Sequence, residues 1–503
     1  MAPTSFSLEL NTPVYRGTVS VDTRLFIGGS FVVPVESGEI EVVNPSTTKV
    51  IASVYAGTAE DVDLAVAAAK KAYKNSWGLK VPGTERARLL KQVADLLEAN
   101  VDEFAALEAL NVGKPFMMAK NMDLKFAVST LRYYAGWADK VGGKTIETNE
   151  TKFSYTRREP YGVVGNIIPW NLPLLLLCNK LAPALAAGNT VVIKPSEVTP
   201  LTALKFAEIV SQAGFPPGVV NIVNGYGNTV GDAIAHHHDI SLVSFTGSTV
   251  VGRKIQEAAA KSNLKVVHLE LGGKSPNIIF DDANLEQAVK WSSSGIFFNM
   301  GQACIAGSRI FVQAGIYDKF IAEMTKVAQN LGSHTGDPFE ETTQHGPQVS
   351  QVQFDRVMGH IRSAKTAGAT IHVGGYQHGN GGYFIQPTII TDVKPEMKAV
   401  KEEIFGPVAS LIKFETEEEV IEMANNTTYG LACGVFTENN SRAIRVVHAL
   451  EAGMAFVNCY GLVDVQVPFG GYKQSGIGRE WGQEGIEEYM QVKAVHVNLG
   501  LKI

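Results

Sequence analysis

Cysteine is scarce. Cys178, Cys304, Cys433 and Cys459 are the four in 503 residues, and no two form a CxxC pair. That excludes a disulfide framework and the common zinc ribbons, and it fits a reducing compartment. Excess positive charge is also missing: 44 Lys and Arg against 50 Asp and Glu leave a net charge of −6. Neither a nucleic-acid surface nor a polybasic membrane patch is implied. Long apolar runs are absent too. The most apolar stretch, 172–193, is broken by Pro173, Asn179, Lys180, Pro183 and Asn189, and it reads as a buried helix running into a buried strand. Residues 1–22 lack the basic start and apolar core of a secretory signal, and Leu-Lys-Ile at the C-terminus is no clear peroxisomal address. A soluble, cytoplasmic protein with no nucleic-acid or membrane partner is expected. No repeat or low-complexity tract is present. His236-His237-His238-Asp239 suggests a metal, but adjacent histidines cannot all face one ion, so an exposed turn and no metal site are expected.

The length calls for two or three domains. Short β-like runs (24–28, 40–43) occupy residues 1–57. Thr58-Ala-Glu-Asp61 is a capping box ahead of Val62, Ala65, Val66, Ala69 and Tyr73 at helical spacing. A second helix follows Thr84, with Leu89, Val93, Leu96 and Leu97 on one face, and a third covers 115–140. Residues 143–158 alternate as a strand pair. From Gly162, strands at 162–168, 190–194, 219–223, 241–245 and 266–271 alternate with helices at 173–187, 200–213, 229–236 and 249–262. That rhythm signals a doubly wound parallel sheet. New strands at 277–280, 309–313, 408–414 and 454–458 point to a second α/β unit, and 490–499 gives a terminal strand. The expected class is α/β, with two doubly wound open-sheet domains and a small projecting β element.

Residues 295–309 concentrate the chemistry. An apolar run ends at Phe298, a glycine-bearing turn follows, and Cys304 stands before a strand. Nearby backbone N–H groups there would lower a thiol pKa. Glu270, 34 residues upstream, ends a strand beside a glycine pair, so a nucleophile and a carboxylate base suit covalent carbonyl chemistry. Strand ends in such sheets bind cofactors. Asn171 offers an amide to an oxyanion. Lys194 and Glu197 suit two ribose hydroxyls or an ordinary surface loop. Gly225-Tyr-Gly-Asn-Thr-Val-Gly231 is one residue longer than the usual dinucleotide fingerprint. Phe245-Thr-Gly-Ser248 opens a helix, where outward N–H groups suit a pyrophosphate or a plain N-cap. The other cysteines read as buried packing.

Together these motifs resemble the NAD(P)-dependent aldehyde dehydrogenase superfamily, in the branch of the cytosolic and mitochondrial acetaldehyde and retinaldehyde enzymes. The resemblance runs from about residue 20 to the C-terminus. It rests on Pro169-Trp-Asn171, Lys194-Pro-Ser-Glu197, Phe245-Thr-Gly-Ser248, Glu270-Leu-Gly-Gly273, Gly301-Gln-Ala-Cys304, Glu402-Glu-Ile-Phe-Gly-Pro407 and Pro468-Phe-Gly-Gly-Tyr-Lys473. It implies Cys304 as nucleophile, Glu270 as general base and Asn171, with the Cys304 N–H, as oxyanion hole. For the cofactor it implies Lys194 and Glu197 at the adenosine ribose and Ser248 near the pyrophosphate. Glu403 and Phe405 then meet the nicotinamide ribose and ring. Ile168, Trp170, Gly227, Gly231, Phe245, Gly247, Leu271 and Gly272 complete the expected cofactor set. The implied domains are 1–142 with 159–270 for NAD, 271–480 for catalysis, and 143–158 with 481–503 for assembly as a homotetramer or homodimer.

The implied reaction is NAD-dependent oxidation of an aldehyde to its acid through a Cys304 thiohemiacetal and thioester. Glu197 should repel a 2′-phosphate, favouring NAD, while Lys194 leaves NADP use open. The substrate pocket is expected at Leu172, Asn179, Phe298, Ala303, Ile305, Val463 and Phe469. Small-aldehyde members of the family carry aromatics at several of these positions, so a wider pocket for bulkier aliphatic or aromatic aldehydes is expected, without an aromatic cage. The competing readings are a semialdehyde-specific or CoA-acylating member, and a non-catalytic NAD-binding structural protein keeping the fold.

Overall fold

A computed structural model describes residues 2–36 and 38–503. Most strands from 163 onward fall into two largely parallel sheets. In the first, Val163–Ile167 is central. Thr190–Lys194 and then Val220–Ile222 lie on one side, Leu242–Thr246 and then Val266–Glu270 on the other, all parallel. Chain order therefore reverses beside the first strand, which opens a crevice past the C-terminal ends of Val163–Ile167 and Leu242–Thr246. Antiparallel strands close this eight-stranded sheet: Leu25–Ile27 and Ser30–Val32 at one edge, Gly476–Ile477 at the other. The second sheet has seven strands, parallel except for Thr370–Val373 at its edge. Its centre is Arg309–Gln313 beside Pro276–Ile279. Thr388–Thr391 and Ala432–Phe436, absent from the sequence reading, complete it with Val408–Phe414 and Met454–Val457.

The five residues Leu271–Ser275 join the C-terminal end of the first sheet to the N-terminal end of the second. Glu270 and Cys304 thereby meet at one boundary, because the strand after Cys304 also starts on that edge.

Local chemistry matches the elements. The helix Ala59–Asn75 starts at Thr58, whose N–H donates to the Asp61 carboxylate at 2.8 Å, a capping-box bond. Pro173 occupies the first turn of the helix Pro173–Ala187, where its missing N–H costs nothing, and Gly188 ends it at φ 99°. Before Gly162, one α-helix escaped the sequence reading. Val101–Val112 is buried along almost its whole length, so it shows no polar face to reveal a helical period. The helix expected over 115–140 runs unbroken from Phe116 to Trp137, its hydrogen bonding widening at 119–123. The projecting element is present: Thr145–Asn149, Lys152–Pro160 and Met490–Asn498 form a three-stranded antiparallel sheet. Among the described residues no helix is long and apolar enough to cross a membrane.

Candidate active site

The turn before Cys304 is held by backbone geometry. Asn299 and Met300 adopt left-handed conformations (φ 47° and 57°), and Gly301 follows at φ 73°. A Cβ on Gly301 would lie 2.0 Å from the Gly406 carbonyl oxygen, so only glycine lets these two segments cross. Gly273 plays the same part for the nucleophile: a Cβ there would meet the Cys304 carbonyl oxygen at 2.4 Å. The glycine pair of the Glu270 motif is therefore what allows the cysteine loop to pack against it.

Cys304 lies on the wall shared by two cavities. One, about 440 Å³, sits over the crevice of the first sheet and is lined by Trp170, Gly247, Ser248, Leu271, Gly272, Glu403 and Phe405. The other, about 300 Å³, is mostly apolar and contains every expected pocket residue: Leu172, Asn179, Phe298, Ala303, Ile305, Val463 and Phe469. Asn171 and Thr246 border both, and Glu270 borders the second.

The thiol corrects the sequence expectation. Enclosure, with the carboxylates of Glu270, Glu403 and Glu480 nearby, pushes the Cys304 thiol up, and the Ile305 N–H only partly offsets this. Desolvation and like charge outweigh one backbone dipole. Glu270 is buried with neither carboxylate oxygen hydrogen-bonded. Burial and Glu480 raise its pKa well above the carboxylate range, against Lys180 and Arg479, which lower it. Asn171 donates from Nδ2 to the Gln302 carbonyl at 3.0 Å, which leaves its second amide hydrogen for a ligand.

Of the other expected residues, Glu403 accepts from the Gly273 N–H at 2.9 Å, and Phe405 meets Trp170 edge-on at 5.2 Å. The Gln353 side chain donates to the Phe405 carbonyl at 2.7 Å, and Arg356 to that of Glu403 at 2.8 Å; both sit on a helix, 351–366, that sequence reasoning did not connect to the site. Ser248 caps the helix Thr249–Lys261, its hydroxyl accepting from the Val251 N–H at 3.4 Å. Lys194 and Glu197 form an ion pair at 3.0 Å. The Gly227 N–H also bonds Glu197, and Gly231 faces the Lys194 stem, so these four make one cluster outside the larger cavity. Ile168 and Phe245 are buried, each in a different hydrophobic core.

The apolar cavity differs from expectation in one respect. Phe126, Trp291, Tyr460 and Trp481 join Phe298 and Phe469, so its walls are rich in aromatic rings that come from distant elements. Asn179 is also committed: its Oδ1 accepts from Trp481 Nε1 at 3.0 Å and from the Thr130 hydroxyl at 3.3 Å. Lys180 and Glu480, paired at 2.5 Å behind Glu270, were missed because 300 positions separate them. Cys178 and Cys433 are buried as expected, whereas Cys459 is partly exposed.

Residues 32–495 match the model of the aldehyde dehydrogenase family. The chain belongs to that family. It is 56% identical over 501 residues to an aldehyde dehydrogenase of Agaricus bisporus, covering 100% of each chain. It is 50% identical over 482 residues to the mouse protein named aldehyde dehydrogenase, cytosolic 1, covering 95% of this chain and 96% of that one. A Bacillus cereus aldehyde dehydrogenase, solved as an NAD+ complex, superposes with a TM-score of 0.93 at 46% identity, over 95% of this chain and 97% of that one. Aldehyde oxidation is the activity of the family to which this chain belongs, and the site is that of an oxidoreductase.

Proposed function

We propose that this aldehyde dehydrogenase oxidises aldehydes to carboxylic acids with NAD, in three steps on Cys304. The observation that carries the reading is the position of Cys304 between two cavities, one bearing Gly247, Gly272, Ser248 and Glu403 on its wall and the other rich in aromatic rings. The first cavity fits a dinucleotide. It opens at the reversal point of the sheet, and the Thr246 hydroxyl on its wall is buried without a partner. Gly272 leaves room at Glu403 that a Cβ, 2.5 Å from its carboxylate, would fill. Lys194 and Glu197 would hold the adenosine ribose, Ser248 the pyrophosphate, Glu403 and Phe405 the nicotinamide end. When bound, the nicotinamide supplies a two-electron acceptor for the carbon held on Cys304.

The residues of the chain do the rest. Cys304 gives up its thiol proton, with ionised Glu270 as the nearby base that passes it to solvent, and Sγ adds to the aldehyde carbon. The oxygen that gains charge is met by Asn171 Nδ2 and the Cys304 N–H. After oxidation the carbon is a thioester on Sγ. Glu270 then takes a proton from the water that attacks it, and the acid leaves as Cys304 regains its proton. A carboxylate with a raised pKa is the stronger base once ionised, which suits that step. Free CoA as acceptor is disfavoured for the same reason, since a buried base favours water.

The cavity of about 300 Å³, apolar and aromatic, suits bulkier aliphatic and aromatic aldehydes as well as small ones. Glu197 beside Lys194 favours NAD over NADP. The division into a cofactor unit (1–142, 159–270), a catalytic unit (271–480) and an assembly element (143–158, 481–503) belongs to the same proposal, with a cytoplasmic homotetramer as the working state. The decisive experiment follows reduced nicotinamide formation with NAD or NADP over an aldehyde panel, beside Cys304→Ala. Turnover with NAD that disappears in the variant is expected. NAD binding without turnover of any aldehyde would establish the non-catalytic alternative.

A further inference from the structure

Three fully buried ionisable side chains lie behind the active-site loop and take no part in the steps above. Glu108 is on the helix Val101–Val112, Lys114 follows the left-handed Gly113 that ends it, and Asp123 stands before the helix Leu124–Trp137. Lys114 Nζ donates to the Asp123 carboxylate and lies 3.6 Å from Glu108 Oε2. Its third contact leaves the cluster: it donates to the backbone carbonyl of Asn171 at 3.1 Å. Glu108 Oε1 accepts from the Leu174 N–H at 3.2 Å. The cluster therefore holds the chain on both sides of Leu172-Pro173, where the first strand of the cofactor sheet turns into the helix Pro173–Ala187. Asp123 itself borders the apolar cavity.

Burying an ammonium with two carboxylates is a poor route to stability, because an apolar trio of the same volume would pack as well. Its advantage is fixed position. We propose that Lys114, set in place by Asp123 and Glu108, is a positioning residue for the Asn171 amide. By holding the Asn171 carbonyl it orients the peptide from which the side chain reaches the substrate oxygen on Cys304. Asn299 Nδ2, donating to the same carbonyl at 3.0 Å, is the second anchor. The inference rests on Asn171 acting as an oxyanion donor.

The test compares two reactions of Cys304 in the full-length protein. Acylation by 4-nitrophenyl acetate passes through an oxyanion, whereas alkylation by iodoacetamide is a direct displacement that forms none. Lys114→Met should slow acylation at least tenfold while leaving the alkylation rate within about twofold, since a lost oxyanion donor typically costs 10²–10³. Should that variant fail to fold, Lys114→Met combined with Asp123→Asn and Glu108→Gln leaves no uncompensated carboxylate buried, and the same selective loss is expected. Loss of both reactions together, or of neither, in the folded variant would overturn the proposal. Asn171→Ala should show the selective loss itself, and adding Lys114→Met to it should cost nothing more. An Asn171→Ala protein without that loss would remove the oxyanion reading beneath the inference. A selective loss in Asn171→Ala alone would remove only the role of Lys114.

Discussion

Glu270 and Cys304 are both enclosed, and burial is the first cause that raises each pKa. The Glu480 carboxylate adds to it at both, and Glu270 adds to it at Cys304. With its pKa raised, Glu270 ionises at higher pH than a free carboxylate, so hydrolysis of the thioester should speed up with rising pH and level off above the raised pKa. Glu270→Gln should keep a pre-steady-state burst of reduced cofactor, lower steady-state turnover by about 10²–10⁴, and lose that alkaline rise. A variant without the burst, beside a wild type that shows one, would contradict this division of labour. Stability carries the same sign. A folded pKa above the unfolded one gives a contribution that is full below the unfolded value and is lost as pH rises through the folded value. Thermal midpoints of Glu270→Gln should therefore fall less steeply toward alkaline pH than those of the wild type.

At the scale of elements, the glycine pair after Glu270 separates two functions that sequence spacing merges. A Cβ at Gly273 collides with backbone, the Cys304 carbonyl at 2.4 Å, whereas one at Gly272 meets only the end of the Glu403 side chain at 2.5 Å. Backbone has to move as a segment, and a nucleophile displaced by about 1 Å costs on the order of 10²-fold in rate. Gly273→Ala should thus lower kcat about 100-fold, and Gly272→Ala should mainly raise KM for NAD. Steady-state kinetics with the cofactor varied separates the two, and identical profiles would show that the pair acts as one unit. The sequence motif was legible as a motif. Which glycine faces the thiol and which the cofactor carboxylate was not, because each neighbour comes from a segment at least 30 residues away.

For the whole molecule, the projecting sheet leaves work unfinished. Its outer strands, Thr145–Asn149 and Met490–Asn498, each have one unpaired edge, and Ile146, Phe153, Val492 and Val497 stand exposed on it. Open edges with apolar side chains favour pairing with another copy of the chain. Ile146→Lys with Val492→Glu should lower the mass measured by light scattering from that of the assembled form. An unchanged mass would mean that assembly uses another surface.

Sequence alone determined the alternation of strands and helices from 162 to 271, the capping box at Thr58, and the motifs that bring Cys304, Glu270 and Asn171 forward as candidates. Those features are local: a period, a cap or a motif is written in neighbouring residues. It also indicated the pocket side chains that flank Cys304. The helix Val101–Val112 stayed hidden because a helix buried on all sides has no periodic contrast. The aromatic walls from Phe126, Trp291, Tyr460 and Trp481 stayed hidden because they converge from four separate stretches. Sequence context suggested a lowered thiol pKa, and the fold reversed it. Desolvation and the field of carboxylates supplied by distant segments decide a pKa, and only tertiary structure brings those charges within reach.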